Sequence, residues 1–453
     1  MKDVNVLNSS DEDAGAELLR EAAQVEMTVP ELLAFAMRLH RDHRLDAAEK
    51  CYRGVLEADV GNATATHYLG VLLRQRGKGA EGLGLIQQSI LIDSGVASWH
   101  NNLGNVFLEE GRFDDAAAAY ARCSASDSIN LEVLNNLGVL LRRLNRKPEA
   151  EESLKKAISL DPSFGDAHTN LATLYTTMGR MTEAFSHFAD ALALRPADVN
   201  TRRLLVIALG KAGRLEEGRK HCLEWLKLEP NDPKAKHFLA AYGGAEVPDR
   251  ASNQFVAAEF DGFANSFDAK LAALEYRAPE LVGEVVADLL GEKEKIWRIL
   301  DAGCGTGLCG PFLHPYAKEL VGVDLSANML SRAADRNLYD DLIQCELVEY
   351  MVNCESAFDV VVSADTLCYF GNLSHAFSAA KKVLRQDGQW VFTVEAHANS
   401  TGFSLQTHGR YSHSRAYIEA ELDRAGFATV NLKSVELRHE SGDPVTGWLV
   451  SAS

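Results

Sequence analysis

The sequence predicts an α-solenoid over residues 29–242 followed by an α/β domain over residues 296–453 with a seven-stranded, mostly parallel sheet. Three observations predict it. A pattern of small and bulky residues recurs with a period of 34 through the first half. From Ile296 onward, continuous apolar runs alternate with helical stretches. A glycine-rich loop, DAGCGTG, directly follows the first of those runs.

The repeats come first in the chain. Leu69-Gly70, Leu103-Gly104 and Leu137-Gly138 are spaced by 34, Phe35-Ala36 begins the series, and Leu171-Ala172 and Leu205-Val206 continue it. Twelve positions after each small residue stands another: Ala48, Gly82, Ala116, Ala150, Ala184 and Gly218. Four further on, most copies have a bulky residue: Tyr52, Ile86, Tyr120, Leu154 or Phe188. Small residues let two antiparallel helices approach closely, and the bulky ones are expected to fill the groove between neighbouring repeats. Gly77, Gly111, Gly179 and Gly213 mark the turn inside four copies, and Pro162, Pro196 and Pro230 stop the second helix of the last three. This pattern resembles the tetratricopeptide repeat, six copies followed by a capping helix through Tyr242.

The flanking segments read differently. Residues 1–28 are acidic and polar, with a short helical stretch at 14–25, and are expected to form a partly disordered tail. GGAEVPDRASN, residues 243–253, reads as a linker. Residues 254–295 have helical apolar spacing, broken near Pro279, and are expected to form a lead-in of two or three helices. Then the runs 296–300, 320–324, 358–363 and 389–394 read as strands buried on both faces. Residues 428–437 and 447–451 read as an antiparallel hairpin closing the sheet edge.

Composition excludes several function classes. The formal net charge is −18, which argues against a general binder of nucleic-acid backbones. Eight scattered cysteines form no C-x-x-C pair, and no histidine cluster sits at zinc spacing, so reduced thiols and no metal are expected. No apolar run approaches the ~18–20 residues needed to span a bilayer, and the first residues lack a signal-peptide pattern, so a cytoplasmic protein is expected.

The loop carries the most specific chemistry. Its glycines allow the backbone to approach a ligand, and the following helix offers free N–H groups. Gly305, Gly307 and Gly310 also satisfy the dinucleotide pattern G-x-G-x-x-G. Three features oppose that reading. Asp301 precedes the glycines, where its carboxylate would repel a pyrophosphate but suits the cationic methionine end of S-adenosyl-L-methionine. VDLSANML follows the second strand, with Asp324 able to accept hydrogen bonds from ribose hydroxyls. The chain closes in a helix and a hairpin.

The order D-x-G-x-G-x-G, V-D-x-S-x-x-M-L and F-D-V-V-V resembles the Rossmann-like class I methyltransferases. The strings AEFDGFANSFDAKLAALEYRAPELV, SADTLCYFGNL and GRYSHSRAYIEAELDRAGF are similar to the bacterial family of predicted methyltransferases that carry N-terminal tetratricopeptide repeats. The resemblance implies S-adenosyl-L-methionine as cofactor. It implies that Asp301, Gly303 and Gly305, in the loop that Gly307 completes, hold the methionine moiety. It further implies that Asp324 holds the ribose and that Leu325, Glu346 and Leu347 surround the adenine. Glu346 departs from the aspartate usual there. Ala364 and Asp365 are expected at the cleft.

For catalysis, a hydroxyl or amine acceptor needs a base. Glu395, His397, His408, Arg410, Tyr411 and His413 are candidates, with His413 and Tyr411 first because their loop should cover the cleft. In the alternative, Arg410 pairs structurally with Glu395 and His413 braces the loop. No Asn-Pro-Pro-Tyr signature follows the fourth strand, which points to oxygen rather than amide or adenine nitrogen as the acceptor. In the repeats, Asn102, Asn136 and Asn170 form a stripe at intervals of 34. It resembles the asparagine ladder of the O-linked N-acetylglucosamine transferase repeats, which implies a protein or peptide partner bound through its backbone. The other reading is that these asparagines cap or solvate the groove. The expected function is S-adenosyl-L-methionine-dependent O-methylation of a hydroxyl or carboxylate. The alternatives are a small-molecule methyltransferase whose repeats only assemble or localise it, and a scaffold with an idle domain.

Overall fold

The computed structural model describes residues 27–124, 130–262, 264–354, 357–397, 402–440 and 442–453. The expected tail helix at 14–25 lies outside the described residues. The chain divides into two compact units, one up to Thr201 and the other from Arg202.

Six antiparallel helical pairs follow one another: α1 (Val29–Arg41) with α2 (Leu45–Ala58), α3 (Ala63–Gln75) with α4 (Gly79–Ile92), α5 (Ala97–Glu109) with α6 (Phe113–Ser124), α7 (Leu131–Arg143) with α8 (Lys147–Leu160), α9 (Gly165–Thr177) with α10 (Met181–Leu194), and α11 (Val199–Lys211) with α12 (Leu215–Leu228). Helix α13 (Pro233–Ala241) closes the series. The division into units falls inside α11, so the sixth pair and α13 belong with the C-terminal unit.

The 34-residue pattern has a direct physical cause. A Cβ on Gly104 would lie 2.6 Å from the Tyr120 ring, and one on Gly138 would lie 2.5 Å from Leu154. The bulky residue therefore sits on the small residue of its own repeat, and Tyr52 also stacks on Tyr68 of the next repeat, with ring centroids 6.3 Å apart. The turn glycines Gly77, Gly111, Gly179 and Gly213 all have positive φ. The two copies without glycine place His43 (φ 57°) and Asn145 (φ 58°) there, at the same phase of the repeat.

In the C-terminal unit, α14 (Asn253–Asp261), α15 (Phe267–Ala273) and α16 (Ala278–Leu290) precede the sheet. The sheet elements then run β1 (Trp297–Ala302), α17 (Gly310–Leu313), β2 (Ala317–Asp324), α18 (Ala327–Asp335), β3 (Asp341–Gln344), α19 (Leu347–Asn353), β4 (Phe358–Ser363), α20 (Ser374–Val383), β5 (Leu384–Ala396), β6 (Phe403–Leu405), β7 (Tyr411–His413), α21 (Arg415–Arg424), β8 (Val430–Glu440) and β9 (Asp443–Ala452). The path is β3-β2-β1-β4-β5-β7-β6, with β9 antiparallel between β5 and β8. Among the described residues nine strands thus stand where seven are expected, because residues 403–413 form a hairpin on the end of β5 rather than a loop.

Neighbouring residues of each central strand feed opposite faces. Leu300 and Val361 join the core with Phe377 and Val383 of α20, whereas Ile299 and Val360 join Leu281, Val282 and Val286 of α16. Burial on both faces is why these strands read as unbroken apolar runs. β1 pairs in parallel with both β2 and β4, so the order of the sheet reverses beside the DAGCGTG loop. Ligands of open α/β sheets bind at such a point. Among the described residues, no helix is long and apolar enough to cross a membrane.

Candidate active site

At the C-terminal ends of β1, β2, β3 and β4 lies a cavity of about 280 Å³. Its floor is Gly303, Cys304, Gly305 and Thr306; Asp324, Leu325, Glu346, Leu347, Ala364 and Asp365 stand at its sides. Gly303 (φ 84°) and Gly305 (φ 54°) both adopt the left-handed region. A Cβ on Gly303 would lie 2.3 Å from Thr366, whereas one on Gly305 would meet only Phe267, at 4.0 Å. The first glycine is needed for packing and the second keeps the cavity open.

Asp324 is fixed by backbone donors: its Oδ2 accepts from Gly305 N at 3.0 Å and its Oδ1 from Ser326 N at 2.9 Å. Burial raises its pKa despite those bonds. Glu346 caps α19 by accepting from Glu349 N at 2.8 Å and pairs with Arg250 at 2.7 Å. This acid is thus spent on the helix and the linker.

Two expected residues do not line the cavity. Asp301 is fully buried behind the loop, where its Oδ2 accepts from the Tyr339 hydroxyl at 2.7 Å and its Oδ1 has no partner among the described residues. Burial pushes its carboxyl up to about 7, against the lowering effect of the Tyr339 hydroxyl. Gly307 packs on α18, since a Cβ there would lie 2.9 Å from Tyr339 and 3.3 Å from Ala333.

The lead-in helices contribute what sequence reasoning missed. Phe260, Phe267, Leu271, Leu274 and Tyr276 line the cavity. Asp268 accepts from the Thr306 hydroxyl at 2.5 Å and pairs with Arg336, and Asp261 accepts from the Ser326 hydroxyl. The two lead-in acids therefore tie α14 and α15 to both ligand-facing loops. Their helical spacing was legible; what they would touch was not.

The first catalytic candidates are displaced by burial. His413 is fully buried on β7, its Nε2 3.1 Å from the Gly371 carbonyl, and burial pushes its pKa down to about 4. The Tyr411 hydroxyl donates to the Pro248 carbonyl at 2.8 Å, and burial pushes its pKa well up. Neither residue lines the cavity, nor does Glu395. Residues 411–413 alternate within a strand rather than hanging over the cleft, so their side chains serve packing.

What reaches the cavity instead is a charged network. Arg410 donates to Glu395 at 2.5 Å and to Glu440 at 2.6 Å. Arg438 pairs with Asp365 and Glu395, and with Glu440 at 2.7 Å. Arg410, Arg438, Asp365 and Glu440 all line the cavity. The pairing of β8 with β9 shifts register between Glu436 and Arg438, a bulge of the kind that re-aims a side chain. Burial would raise Glu395, but the two guanidiniums hold it below the ordinary range. Burial raises Asp365, with Arg438 opposing, and its Oδ1 has no partner among the described residues. Asp365 also has φ 55°, costly for an aspartate and held by donation of its N–H to the Thr393 hydroxyl at 2.8 Å.

In the repeats, the asparagine stripe is partly spent within the solenoid. Asn102 Nδ2 lies 2.9 Å from His67 Nε2, and Asn170 Nδ2 donates to Asn135 at 2.8 Å. Asn136 is half-buried at the same phase.

Comparison with known proteins agrees with this architecture. Residues 300–392 match the methyltransferase domain family, and residues 101–163, 135–199 and 176–242 match tetratricopeptide repeat families. The chain is 30% identical over 165 residues to the biotin biosynthesis bifunctional protein BioHC of Saccharophagus degradans, covering 35% of this chain and 28% of that protein. It is 35% identical over 130 residues to human methyltransferase-like protein 27, covering 28% and 51%. It is 28% identical over 196 residues to the malonyl-[acyl-carrier protein] O-methyltransferase of Geobacter sulfurreducens, covering 39% and 68%. The chain spans about half or less of the length of the first two. It carries tetratricopeptide repeats followed by a class I methyltransferase domain, the kind that uses S-adenosyl-L-methionine as methyl donor. The site fits that cofactor: a glycine floor for close approach, a half-buried carboxylate beside it at Asp324, and at Asp365 an acceptor oxygen without a partner among the described residues.

Proposed function

We propose that this protein is a methyltransferase that methylates a carboxylate oxygen of its acceptor. The observation that carries the reading is Arg410, a cation on the cavity that Gly303, Gly305 and Asp324 also line, with Nε and Nη2 paired to Glu395 and Glu440 and Nη1 outside those pairs. When bound, S-adenosyl-L-methionine supplies an electrophilic methyl carbon. Gly303 and Gly305 admit it, Asp324 accepts from its ribose hydroxyls, and Asp365 offers Oδ1 to a donor. The aromatic and aliphatic side chains of α14 and α15 exclude water and strengthen these polar contacts. Arg410 orients the acceptor for in-line attack through Nη1, a geometric contribution, while Arg438, paired with Asp365, Glu395 and Glu440, holds the acids that position Arg410.

A carboxylate is already an anion and needs no base. That suits a cavity that no histidine lines among the described residues. Its thiols are no substitute, because burial raises Cys304, Cys309 and Cys368 well above the ordinary range. The Geobacter relative is named for methylating a malonyl group on a carrier protein, which fits a carboxylate acceptor. A hydroxyl acceptor is the second reading, favoured by Oδ1 of Asp365, which has no partner among the described residues. In either case the repeats bind a protein or peptide partner that carries or delivers the acceptor.

The test uses the full-length protein. Calorimetry with S-adenosylhomocysteine should show binding that Asp324→Ala weakens at least about tenfold, since a charge-assisted hydrogen bond is worth ~1.5–3 kcal/mol. Methyl-labelled cofactor incubated with a lysate should label material that releases volatile methanol in mild alkali. Alkali-stable label would refute the carboxylate reading, and no binding of S-adenosylhomocysteine would refute the enzyme.

A further inference from the structure

The fifth helical pair carries a cluster that the transfer reaction leaves unused. His168 stands in the first turn of α9; His187 and Asp190 stand one turn apart on α10. His168 Nδ1 is 3.0 Å from His187 Nδ1 and 3.6 Å from Asp190 Oδ2, and His187 Nδ1 is 3.8 Å from the same oxygen. A point equidistant from these three atoms lies about 2.0 Å from each, the length of a zinc bond to imidazole nitrogen or carboxylate oxygen.

The second ring nitrogen of His168 is already oriented. Its Nε2 lies 3.2 Å from the Pro162 carbonyl. Donation there places the ring proton on Nε2 and leaves a lone pair on Nδ1, facing the cluster. Metal-binding histidines are commonly fixed in this way. The cluster is anchored inside and open outside: the side chains of His168, His187 and Asp190 are 8%, 24% and 52% exposed. Water or a partner's ligand can complete the coordination.

The next repeat gives an internal comparison. Thirty-four positions on from His168, His187 and Asp190 stand Arg202, His221 and Glu224. There Arg202 Nη1 lies 3.3 Å from His221 Nδ1. The same frame, with an imidazole and an acid one turn apart on the second helix, thus holds a built-in cation where the fifth repeat has a third ligand.

We propose that His168, His187 and Asp190 bind a divalent transition-metal ion, of which zinc is the type, and that the ion pins α9 to α10. Two imidazoles favour such an ion over magnesium or calcium, which prefer oxygen ligands. Glu183 adds favourable charge near His187 and Lys155 opposes it, though Lys155 is paired with Glu151 at 2.6 Å. Sequence spacing gave no metal signal because ligands 19 and 3 positions apart converge only when the two helices fold back on each other.

The test is titration of chelator-stripped full-length protein with Zn²⁺ and, as a spectroscopic probe, Co²⁺. The wild type should bind one equivalent tightly and unfold at a higher temperature in Zn²⁺, as ligation of the native state requires. Bound Co²⁺ should show ligand-field absorption without a thiolate charge-transfer band. Mg²⁺ should do nothing. His187→Gln and Asp190→Asn, both at partly exposed positions and checked for native helix content, should each weaken binding more than about tenfold. Equal affinity in wild type and both variants, or no binding by the wild type, would overturn the proposal and leave the two imidazoles sharing only a hydrogen bond.

Discussion

Asp301 is the residue whose environment most changes its chemistry. Its carboxyl is raised to about 7 by burial in the folded chain, while the unfolded chain ionises near the ordinary value of 3.8. Below pH 3.8 both states hold the proton and the residue contributes no pH dependence. Between 3.8 and about 7 the folded state holds more protons than the unfolded one, so stability falls as pH rises. Above that window the loss is complete. Asp301→Asn keeps an oxygen for the Tyr339 hydroxyl and removes the ionisation. Chemical denaturation should find the variant more stable than wild type at pH 8, by on the order of 2–4 kcal/mol, with the difference vanishing near pH 4. A pH-independent difference would refute the assigned titration. The variant should also keep more S-adenosylhomocysteine affinity than Asp324→Ala, because Asp301 lies behind the loop rather than on the cavity. This is the distinction the sequence could not make. Strand and glycine spacing put Asp301, Gly303 and Gly305 at the end of β1 and Asp324 at the end of β2, but whether an acid faces the ligand or the core depends on Tyr339, 38 positions away.

Among the elements, the β6–β7 hairpin carries the largest difference between sequence and structure. Residues 403–413 have no long apolar alternation and read as a loop; pairing with the end of β5 makes them strands. That pairing buries Tyr411 and His413 and leaves Arg410, at the turn end of β7, on the cavity. Gly409 makes the turn possible with φ 90°, and its carbonyl lies 2.8 Å from His237 Nε2 on α13. Gly409→Ala meets no close atom, so its cost is conformational, about 1–2 kcal/mol for a left-handed alanine. Amide exchange should quicken across residues 403–413, and acceptor turnover should fall more than S-adenosylhomocysteine affinity. Gly84→Ala is the matching control. Gly84 lies inside α4 with nothing near its Cβ position, so alanine there should stabilise by about 0.5–1 kcal/mol. The repeat helices were legible for the opposite reason: each is defined by local spacing and by contacts such as Gly104 with Tyr120, only 16 positions apart.

For the whole chain, the repeats do not end where the catalytic unit begins. The sequence divides at the linker of residues 243–253, but compactness divides the chain at Thr201 and Arg202. The physical reason lies on α13. Lys234 pairs with Glu259 of α14 at 2.7 Å, the His237 and Phe255 ring centroids lie 4.0 Å apart, and Ala240 shares a core with Phe255, Leu405 and Tyr411. Helix α14 then reaches the cofactor side of the cavity through Phe260 and through Asp261 at Ser326. The last solenoid helix therefore supports both the lead-in that covers the donor and the hairpin that presents Arg410. A chain begun at residue 246 cuts away that support, whereas one begun at residue 197 retains the sixth pair and α13. The shorter chain exposes Phe255 and Tyr411 and leaves the Gly409 carbonyl without its imidazole, a loss of several kcal/mol by the usual worth of buried aromatics and hydrogen bonds. Its thermal unfolding should begin at a markedly lower temperature, and its affinity for S-adenosylhomocysteine should drop, while the longer fragment keeps the affinity of the full protein. Equal stability of the two fragments would mean that α13 merely touches the catalytic unit. The same comparison guards the question of what the repeats do: loss of methylation on removing residues 1–245 reports damage to the site, and only the fragment from residue 197 can report loss of a partner.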